Sequence, residues 1–405
     1  MKRLLDFIKS ETVLSISLLL AFLSAFVVHP DREYLDYLDV RTLAILFSLM
    51  AVMAGLQGLG MFSLVAQKLL GRVKRIGEIV FILVMLCFFF SMVITNDVAL
   101  ITFVPFTFTV LRMMGEELGR KLLIPTVVMQ TVAANLGSML TPIGNPQNLY
   151  LYGKAGMSVG EFLLLMLPYT MLSFLLLALW CAAQGRRYNG FAGSKKGGSK
   201  ASGYSDEEAD ADASLDGSIG MGLSQRESLT GKGRRLAFYG ILFLVCLLTV
   251  ARIVPYWATF IAVAVGVGIV DRSVLRRVDY SLLLTFAGFF VFIGNMGRIT
   301  VFREFLEEII AGHEVLTGVT ASQVISNVPA ALLLSGFTED MKGLIVGTNL
   351  GGLGTLIASM ASLISFKFIG REKKSLRGAY LLYFTVVNIC FLAALLLLWS
   401  VIYRQ

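Results

Sequence analysis

Charged residues are scarce in this 405-residue chain, and their scarcity excludes an ordinary soluble domain. Only 15% of the residues are charged and 56% are hydrophobic, whereas soluble domains carry about 25% charged residues. Apolar runs long enough to cross a bilayer recur along the whole chain. The composition therefore predicts a multi-pass membrane protein with the lipid bilayer as its surroundings.

Several chemical signatures are also missing. The four cysteines lie singly inside apolar runs, which argues against a disulfide framework or metal cluster and predicts buried, inert thiols. No Gly-rich phosphate loop of the Walker type is present, which disfavours a primary pump. An intramembrane enzyme would need two acids, or a nucleophile with its base, at membrane depth. One deep acid, Asp97, and no deep histidine therefore predict that the chain is not an enzyme.

Basic residues outnumber acidic ones, and their placement predicts an orientation. The net charge is +8, but the basic residues sit in short loops, so they indicate membrane topology and no nucleic-acid partner. Most of the 35 Lys and Arg residues fall in loops on one side of the predicted layout. We expect a cytoplasmic N-terminus and a C-terminus outside. Nine spanning segments are predicted near 13–29, 41–60, 122–155, 161–183, 235–251, 254–270, 281–298, 341–366 and 377–402.

Polar residues interrupt four of the apolar stretches. The spans at 122–155 and 341–366 are broken at "TPIGNPQN" and around "GGLGT", and the stretches 77–111 and 314–337 contain the turns "ITND" and "ISNVP". A broken helix is tolerated at membrane depth only where its free backbone groups are buried in protein or line a wet cavity. We therefore interpret 77–111 and 314–337 as re-entrant hairpins, and 122–155 and 341–366 as broken helices.

The two halves of the chain share spaced blocks, which predicts an internal repeat. The segment "SMVITNDVA" from Ser91 aligns with "SQVISNVPA" from Ser322, and "NLGSMLTPI" from Asn135 aligns with "NLGGLGTLI" from Asn349. An odd number of crossings separates the copies, so they point in opposite directions. Inverted repeats with discontinuous helices are typical of secondary transporters. The predicted domains are 1–184, a disordered cytoplasmic linker over 185–234, rich in Gly, Ser and charge, and 235–405.

The hairpin tips and helix breaks form the predicted binding site. Their free N–H and C=O groups, with neutral polar side chains nearby, can replace the hydration shell of an ion or polar solute. Asp97 predicts proton coupling or part of a sodium site, and a simple helix N-cap is the alternative interpretation. The predicted binding residues are Thr95, Asn96, Asp97, Asn135, Thr141, Gly144, Asn145, Gln147, Asn148, Ser326, Asn327, Asn349, Gly351 and Thr355.

These segments resemble a known group of membrane carriers. Residues 94–106, 134–148, 322–334 and 347–359 resemble the ion transporter superfamily, in the arsenite-permease and citrate-transporter-like branch related to divalent anion:sodium symporters. The resemblance implies an elevator-type mechanism, a homodimer, and coupling to sodium or protons without other cofactors. It places sodium at Thr95, Asn96 and Gly144 and at Ser326, Asn327 and Gly354.

One departure from the superfamily bears on the substrate. Its dicarboxylate carriers have Ser-Asn-Thr at both hairpin tips, and here the threonine is missing from both, which argues against citrate or succinate. We therefore predict a secondary transporter that moves a small anion or oxyacid across the inner or plasma membrane by alternating access. A sodium/proton antiporter using Asp97 and an arsenite or antimonite efflux carrier are alternatives. A channel is a further class, which ohmic current would distinguish.

Overall fold

The computed structural model describes residues 11–73, 75–197 and 229–403, and helices are the regular secondary structure of these ranges. Short helices of one turn, Glu33–Asp36, Arg272–Leu275 and Lys374–Leu376, lie between the longer helices. The longer helices are α1 (Thr12–Val27), α2 (Val40–Gly58), α3 (Met61–Leu70), α4 (Ile76–Ser91), α5 (Asn96–Met113), α6 (Glu116–Ser138), α7 (Pro146–Ala155), α8 (Val159–Gly197), α9 (Leu229–Val250), α10 (Tyr256–Val270), α11 (Tyr280–Gly297), α12 (Thr300–Ile310), α13 (Glu314–Ile325), α14 (Asn327–Ser335), α15 (Met341–Leu350), α16 (Met360–Glu372) and α17 (Arg377–Tyr403).

Helix length and lipophilicity agree with a polytopic membrane protein. Within the described ranges, six helical segments are long and apolar enough to cross a bilayer: Val40–Gly58, Asn96–Met113, Val159–Arg187, Gly233–Val250, Tyr280–Gly297 and Lys374–Tyr403. Helices α1 and α10 are shorter but also apolar. Large apolar side chains point outward from these helices, for example Ile269 at 79% and Leu382 at 71% exposure. Such a surface suits lipid, so the all-helical polytopic prediction is confirmed at this level.

The predicted interruptions are present as breaks in the helices. Residues 92–95 separate α4 from α5, and Ser326 separates α13 from α14. Residues 139–145 and 351–359 likewise separate the two halves of each broken helix. Pro146 occupies the first position of α7, where its missing N–H breaks no helical hydrogen bond. Whether each hairpin returns to the membrane face it entered from stays a prediction.

Two expectations need correction. Helix α8 extends to Gly197 and α9 begins at Leu229, so both ends of the predicted linker 185–234 are helical. Adding turns to an existing helix avoids the nucleation cost that a new helix would incur, which explains the extension. Residues 198–228, the rest of that prediction, lie outside the described residues. Cys390 is exposed on α17, whereas the other three cysteines are buried as expected.

The chain packs into two compact units, each assembled from separated segments. The first unit comprises Met1–Gly55, Met139–Leu167 and Gly240–Met360. The second comprises Leu56–Ser138, Pro168–Tyr239 and Ala361–Gln405. Each unit therefore combines segments from both predicted halves of the sequence, 1–184 and 235–405. The division into repeats concerns sequence symmetry and stays a prediction.

In the first unit, the second hairpin packs against both broken helices. Helices α13, α14 and α15 contact one another, and α7 contacts α14 and α15. The Tyr150 hydroxyl lies 3.0 Å from the Ser335 Oγ and ties α7 to the end of α14. A separate pair, α1 and α11, is joined where Asn295 Nδ2 donates to Ser24 Oγ at 2.9 Å. The contacts of α13 and α14 with α15, and of α14 with α7, hold the second hairpin in a fixed position relative to α7 and α15.

In the second unit, both helices of the first hairpin pack against α6. Gln130 of α6 is fully buried, and its Nε2 donates to the Leu83 carbonyl oxygen at 3.0 Å and to Thr107 Oγ1 at 2.8 Å. This one amide therefore links α4, α5 and α6. Thr131 Oγ1 donates to Ser365 Oγ at 2.7 Å and joins α6 to α16. Buried polar groups in a membrane helix need such partners because lipid offers none.

Candidate functional site

The tip of the first hairpin meets α6 through an amide pair in the second unit. Asn96 Nδ2 donates to Asn135 Oδ1 at 3.0 Å, and both side chains are buried. Asn96 Oδ1 in turn accepts from the Asp97 N–H at 2.9 Å. Thr95 is the N-cap of α5, so Asp97 lies inside the first turn and the N-cap interpretation of Asp97 is wrong. A carboxylate in that turn faces the positive end of the helix dipole.

A second amide pair joins the first break to α15 in the first unit. Asn349 Nδ2 donates to Asn148 Oδ1 at 2.7 Å and to the Ile345 carbonyl oxygen at 2.8 Å. The Asn148 Nδ2 donates to the Thr141 carbonyl oxygen at 3.3 Å. The Gly144 N–H donates to Thr141 Oγ1 at 3.1 Å, which closes the break on itself. Residues from both predicted halves of the sequence thus share one polar cluster.

Two buried polar side chains of the first unit, Gln147 and Asn349, keep atoms that nothing in the described part of the chain satisfies. Gln147 is fully buried, and neither its Nε2 nor its Oε1 has a hydrogen-bond partner among the described residues. Asn349 Oδ1 is also buried and has no hydrogen-bond partner among the described residues. An unsatisfied buried polar group costs about 1–3 kcal/mol, so native proteins leave few without a reason. A bound polar ligand or ion would supply the missing partners.

The tip of the second hairpin is strained and is held by the second break. Ser326 has φ 75° and ψ 153°, a conformation that residues other than glycine rarely adopt. Such backbone costs about 1–3 kcal/mol and persists only where neighbouring structure imposes it. Here the Asn327 N–H donates to the Ala358 carbonyl oxygen at 2.9 Å. Ser326 Oγ donates to the same carbonyl at 3.4 Å.

Aligned residues of the two halves make matching contacts, each within its own unit. A Cβ on Gly137 would lie 2.5 Å from Ser91 Oγ, and a Cβ on Gly351 would lie 2.6 Å from Ser322 Oγ. Both glycines therefore permit a hairpin serine to approach the helix closely. Gly137 aligns with Gly351 and Ser91 with Ser322 in the predicted repeat.

The predicted site residues fall into two sets, one in each unit. The second unit holds Thr95, Asn96, Asp97 and Asn135, and the first holds Thr141, Gly144, Asn145, Gln147, Asn148, Ser326, Asn327, Asn349, Gly351, Gly354 and Thr355. Thr355 is exposed, and its hydroxyl donates to the Gln323 carbonyl oxygen at 3.0 Å. Gln323 itself was missed by sequence reasoning. One feature of the sequence indicated its role: position 323 is polar, whereas the aligned position in the first half holds Met92.

A cleft of about 780 Å³ opens beside the base of the second hairpin, in the first unit. Glu314 is buried there, and its Oε1 accepts from Thr338 Oγ1 at 3.1 Å, which closes the base of the hairpin. Lys154 Nζ donates to the Ser335 carbonyl oxygen in the same cleft. Among the described residues, no group of three or more His, Cys, Asp or Glu side chains is placed to hold a metal ion.

Known proteins resemble this chain over most of its length. Residues 4–342 match the family described as citrate transporter. The inner membrane protein YbiR of Escherichia coli strain K12 is 27% identical over 350 residues, which cover 85% of this chain and 84% of that protein. An uncharacterized transporter of Methanocaldococcus jannaschii is 31% identical over 306 residues, covering 75% and 73%. An uncharacterized transporter of Mycobacterium tuberculosis is 24% identical, covering 76% and 73%.

Proposed function

Since the chain belongs to the citrate transporter family, we propose that it is a cation-coupled secondary transporter of a small anion or oxyacid. It is a multi-pass membrane protein, and several relatives are named as transporters. The resemblance to the citrate-transporter-like branch, inferred from the hairpin and break segments, is confirmed by the family match. The family membership is a finding, whereas the identity of the solute, the coupling ion and the transport cycle are what we propose.

The observation that carries the proposal is the unsatisfied amide chemistry of the first unit. Gln147 offers two N–H donors and an acceptor, and Asn349 Oδ1 offers a second acceptor. The donors suit an oxygen of an oxyanion, and the acceptors suit a protonated oxygen or a cation. Neutral amides bind a charged solute without holding it too tightly to release. A small oxyanion or oxyacid with a co-bound cation satisfies both kinds of group.

The hairpin tips bear on which anion is carried. The tips read Thr95-Asn96-Asp97 and Ser326-Asn327-Val328, so neither offers the threonine that dicarboxylate carriers of the superfamily use. An ionised Asp97 would also repel a dianion. We propose a solute smaller and less charged than citrate, with an arsenite-type oxyacid included in that class.

The mechanism we propose uses alternating access with inverted repeats. The matching glycine–serine contacts of the two halves support the repeat, and the interrupted helices support re-entrant hairpins. We further propose an elevator-type homodimer in the inner or plasma membrane, with a cytoplasmic N-terminus and an external C-terminus. Single-cysteine accessibility in intact cells tests the orientation, and cross-linking in the membrane tests the dimer.

Uptake by proteoliposomes tests the transport function. Purified protein would be reconstituted and offered radiolabelled citrate, malonate, sulfate and arsenite under sodium or pH gradients. We expect saturable, gradient-dependent uptake of one small solute, and its loss in Gln147→Ala. Gln67→Ala on α3 is the matched control and should retain uptake. Gradient-driven cation exchange that needs no solute would contradict the proposal.

The second candidate is a sodium/proton antiporter, and Asp97 favours it. Asp97 is the acid at the tip of the first hairpin, and its Oδ1 is inaccessible to solvent. An acid at membrane depth is a natural proton or sodium ligand. An internal pH-sensitive dye would report proton release on sodium addition. Exchange lost in Asp97→Asn, with no solute transported, would select the antiporter.

A further inference from the structure

Gln323 binds the second break through both ends of its amide. It lies on the last turn of α13, just before the hairpin tip. Its Nε2 donates to the carbonyl oxygens of Gly351 and Leu353, each at 3.0 Å. Its Oε1 accepts from the Thr355 N–H at 2.8 Å. One side chain therefore satisfies three backbone groups of the segment that separates α15 from α16.

The break is shaped to receive this side chain. Gly354 has φ +109°, which favours glycine, and a Cβ there would lie 2.2 Å from Gln323 Oε1. Thr355 Oγ1 closes the ring of contacts by donating to the Gln323 carbonyl oxygen. On the other side of the strained tip, the Ala358 carbonyl holds Asn327 and Ser326. The tip and the break are therefore one hydrogen-bonded element.

The first break is held by different means. Thr141 accepts within that break from Gly144 and Asn148, and Pro142 and Pro146 restrict its backbone. The sequence position equivalent to Gln323 is Met92, whose thioether cannot donate a hydrogen bond. Thr141 thus helps to hold the first break. The second depends on a side chain from the hairpin.

We propose that Gln323 is a positioning residue for the binding site, an inference that rests on the proposed transport function. By holding the carbonyls of Gly351 and Leu353, it fixes the second break relative to the tip residues Ser326 and Asn327. Solute or ion that binds at this tip then meets a preorganised backbone. Loss of Gln323 raises the KM for solute more than it lowers kcat, because the site must be ordered on each binding event.

The substitution Gln323→Glu provides a readout that a merely structural role would not move. A glutamate oxygen can still accept from the Thr355 N–H, but an ionised carboxylate repels the carbonyl oxygens of Gly351 and Leu353. A protonated glutamate donates one hydrogen bond again. We expect the variant-to-wild-type KM ratio to be about tenfold or more at pH 8 and to fall toward one as the pH is lowered.

Two further variants frame this result. Gln323→Met, which copies the residue at the aligned position 92, should raise the KM at every pH without recovery. Gln67→Glu on α3 introduces the same charge change in the other unit and should leave the KM ratio at one. Wild-type KM in both Gln323 variants, or a Gln323→Glu defect that does not depend on pH, would overturn the proposal.

Hydrogen–deuterium exchange over residues 351–358 tests the positioning independently of transport. Backbone amides there should exchange faster in Gln323→Met than in wild-type protein, and Gln67→Glu should match wild type. Unchanged exchange in Gln323→Met overturns the proposal even if Gln323→Met misfolds elsewhere. Faster exchange in Gln323→Met, together with wild-type protein that transports no solute, would instead uphold the positioning role and refute the proposed function.

Discussion

Replacing Gln147 by methionine should stabilise the ligand-free protein while abolishing transport. The amide of Gln147 is fully buried and both of its polar atoms lack partners in the described part of the chain. Methionine has similar length and no strong hydrogen-bonding group, so the substitution removes unsatisfied groups without opening a large cavity. A residue kept at a cost to stability is typical of a functional site.

Gln130 is a matched control because it is equally buried but partnered. Its Nε2 makes two hydrogen bonds, to Leu83 and Thr107, while its Oε1 has no partner among the described residues. Each hydrogen bond stabilises the fold by about 1 kcal/mol. Removing the unsatisfied Oε1 offsets the loss of about one of the two hydrogen bonds. We expect Gln130→Met to lower the free energy of unfolding by about 1 kcal/mol. Gln147→Met should raise it by about 1–3 kcal/mol.

The three buried cysteines supply the assay. A thiol-reactive dye reports unfolding when Cys87, Cys181 and Cys246 become accessible. The ligand-free wild-type protein and each variant would be heated separately in detergent. The midpoints of the two variants should move in opposite directions by up to a few degrees. A transported solute should raise the wild-type midpoint but not that of Gln147→Met. A Gln147→Met midpoint below wild type would show that Gln147 has a structural partner and would refute the reasoning.

Three further predictions concern packing, coupling and pH. Gly137→Ala should lower the free energy of unfolding by about 1–3 kcal/mol, because its Cβ would lie 2.0 Å from a backbone carbonyl oxygen. A Cβ on Gly153 would meet only Thr42 Oγ1 at 3.8 Å, an ordinary contact distance, so Gly153→Ala should be neutral or slightly stabilising in the same dye assay. Equal midpoints for the two variants would contradict the packing. Asp97→Asn should abolish the dependence of uptake on a cation gradient, and an unchanged ratio of uptake with and without the gradient would exclude Asp97 from coupling. The hydrogen bond from Arg298 lowers the pKa of Asp31. The stabilisation from this contact is therefore present above the ordinary pKa of Asp31 and is lost as the pH falls through the lowered pKa. Asp31→Asn should flatten the decline of the unfolding midpoint in acid, and parallel curves for the variant and the wild type would contradict this.

Helix positions were predictable because the signals that define them are local. The predicted span 254–270 is observed as Tyr256–Val270, and 281–298 as Tyr280–Gly297. Apolar length sets where a helix can cross lipid, and a short polar run ends it. The prediction failed at the ends of the 185–234 linker, because propagation from the long apolar helices α8 and α9 outweighed local composition.

The pairing within the candidate site was less predictable. In the predicted repeat, Asn96 aligns with Asn327 and Asn135 aligns with Asn349. In the structure Asn96 does pair with Asn135, but Asn349 pairs with Asn148. The choice depends on which helix end lies nearest, and α7 lies against α15 in the first unit. Sequence spacing carries no information on that packing.

The sequence alone determined the helices, their breaks, their lipid-facing character and the polar residues at the breaks, because apolar run length and turn chemistry act over a few neighbouring residues. Only the tertiary structure decided which polar groups are satisfied. Gln130 and Gln147 are both buried glutamines. The Nε2 of Gln130 donates hydrogen bonds to groups on two other helices, whereas the amide of Gln147 has no partner within the described residues. Hydrogen-bond partners come from segments distant in the chain, so folding must bring them together before a side chain is known to be structural or free for a ligand.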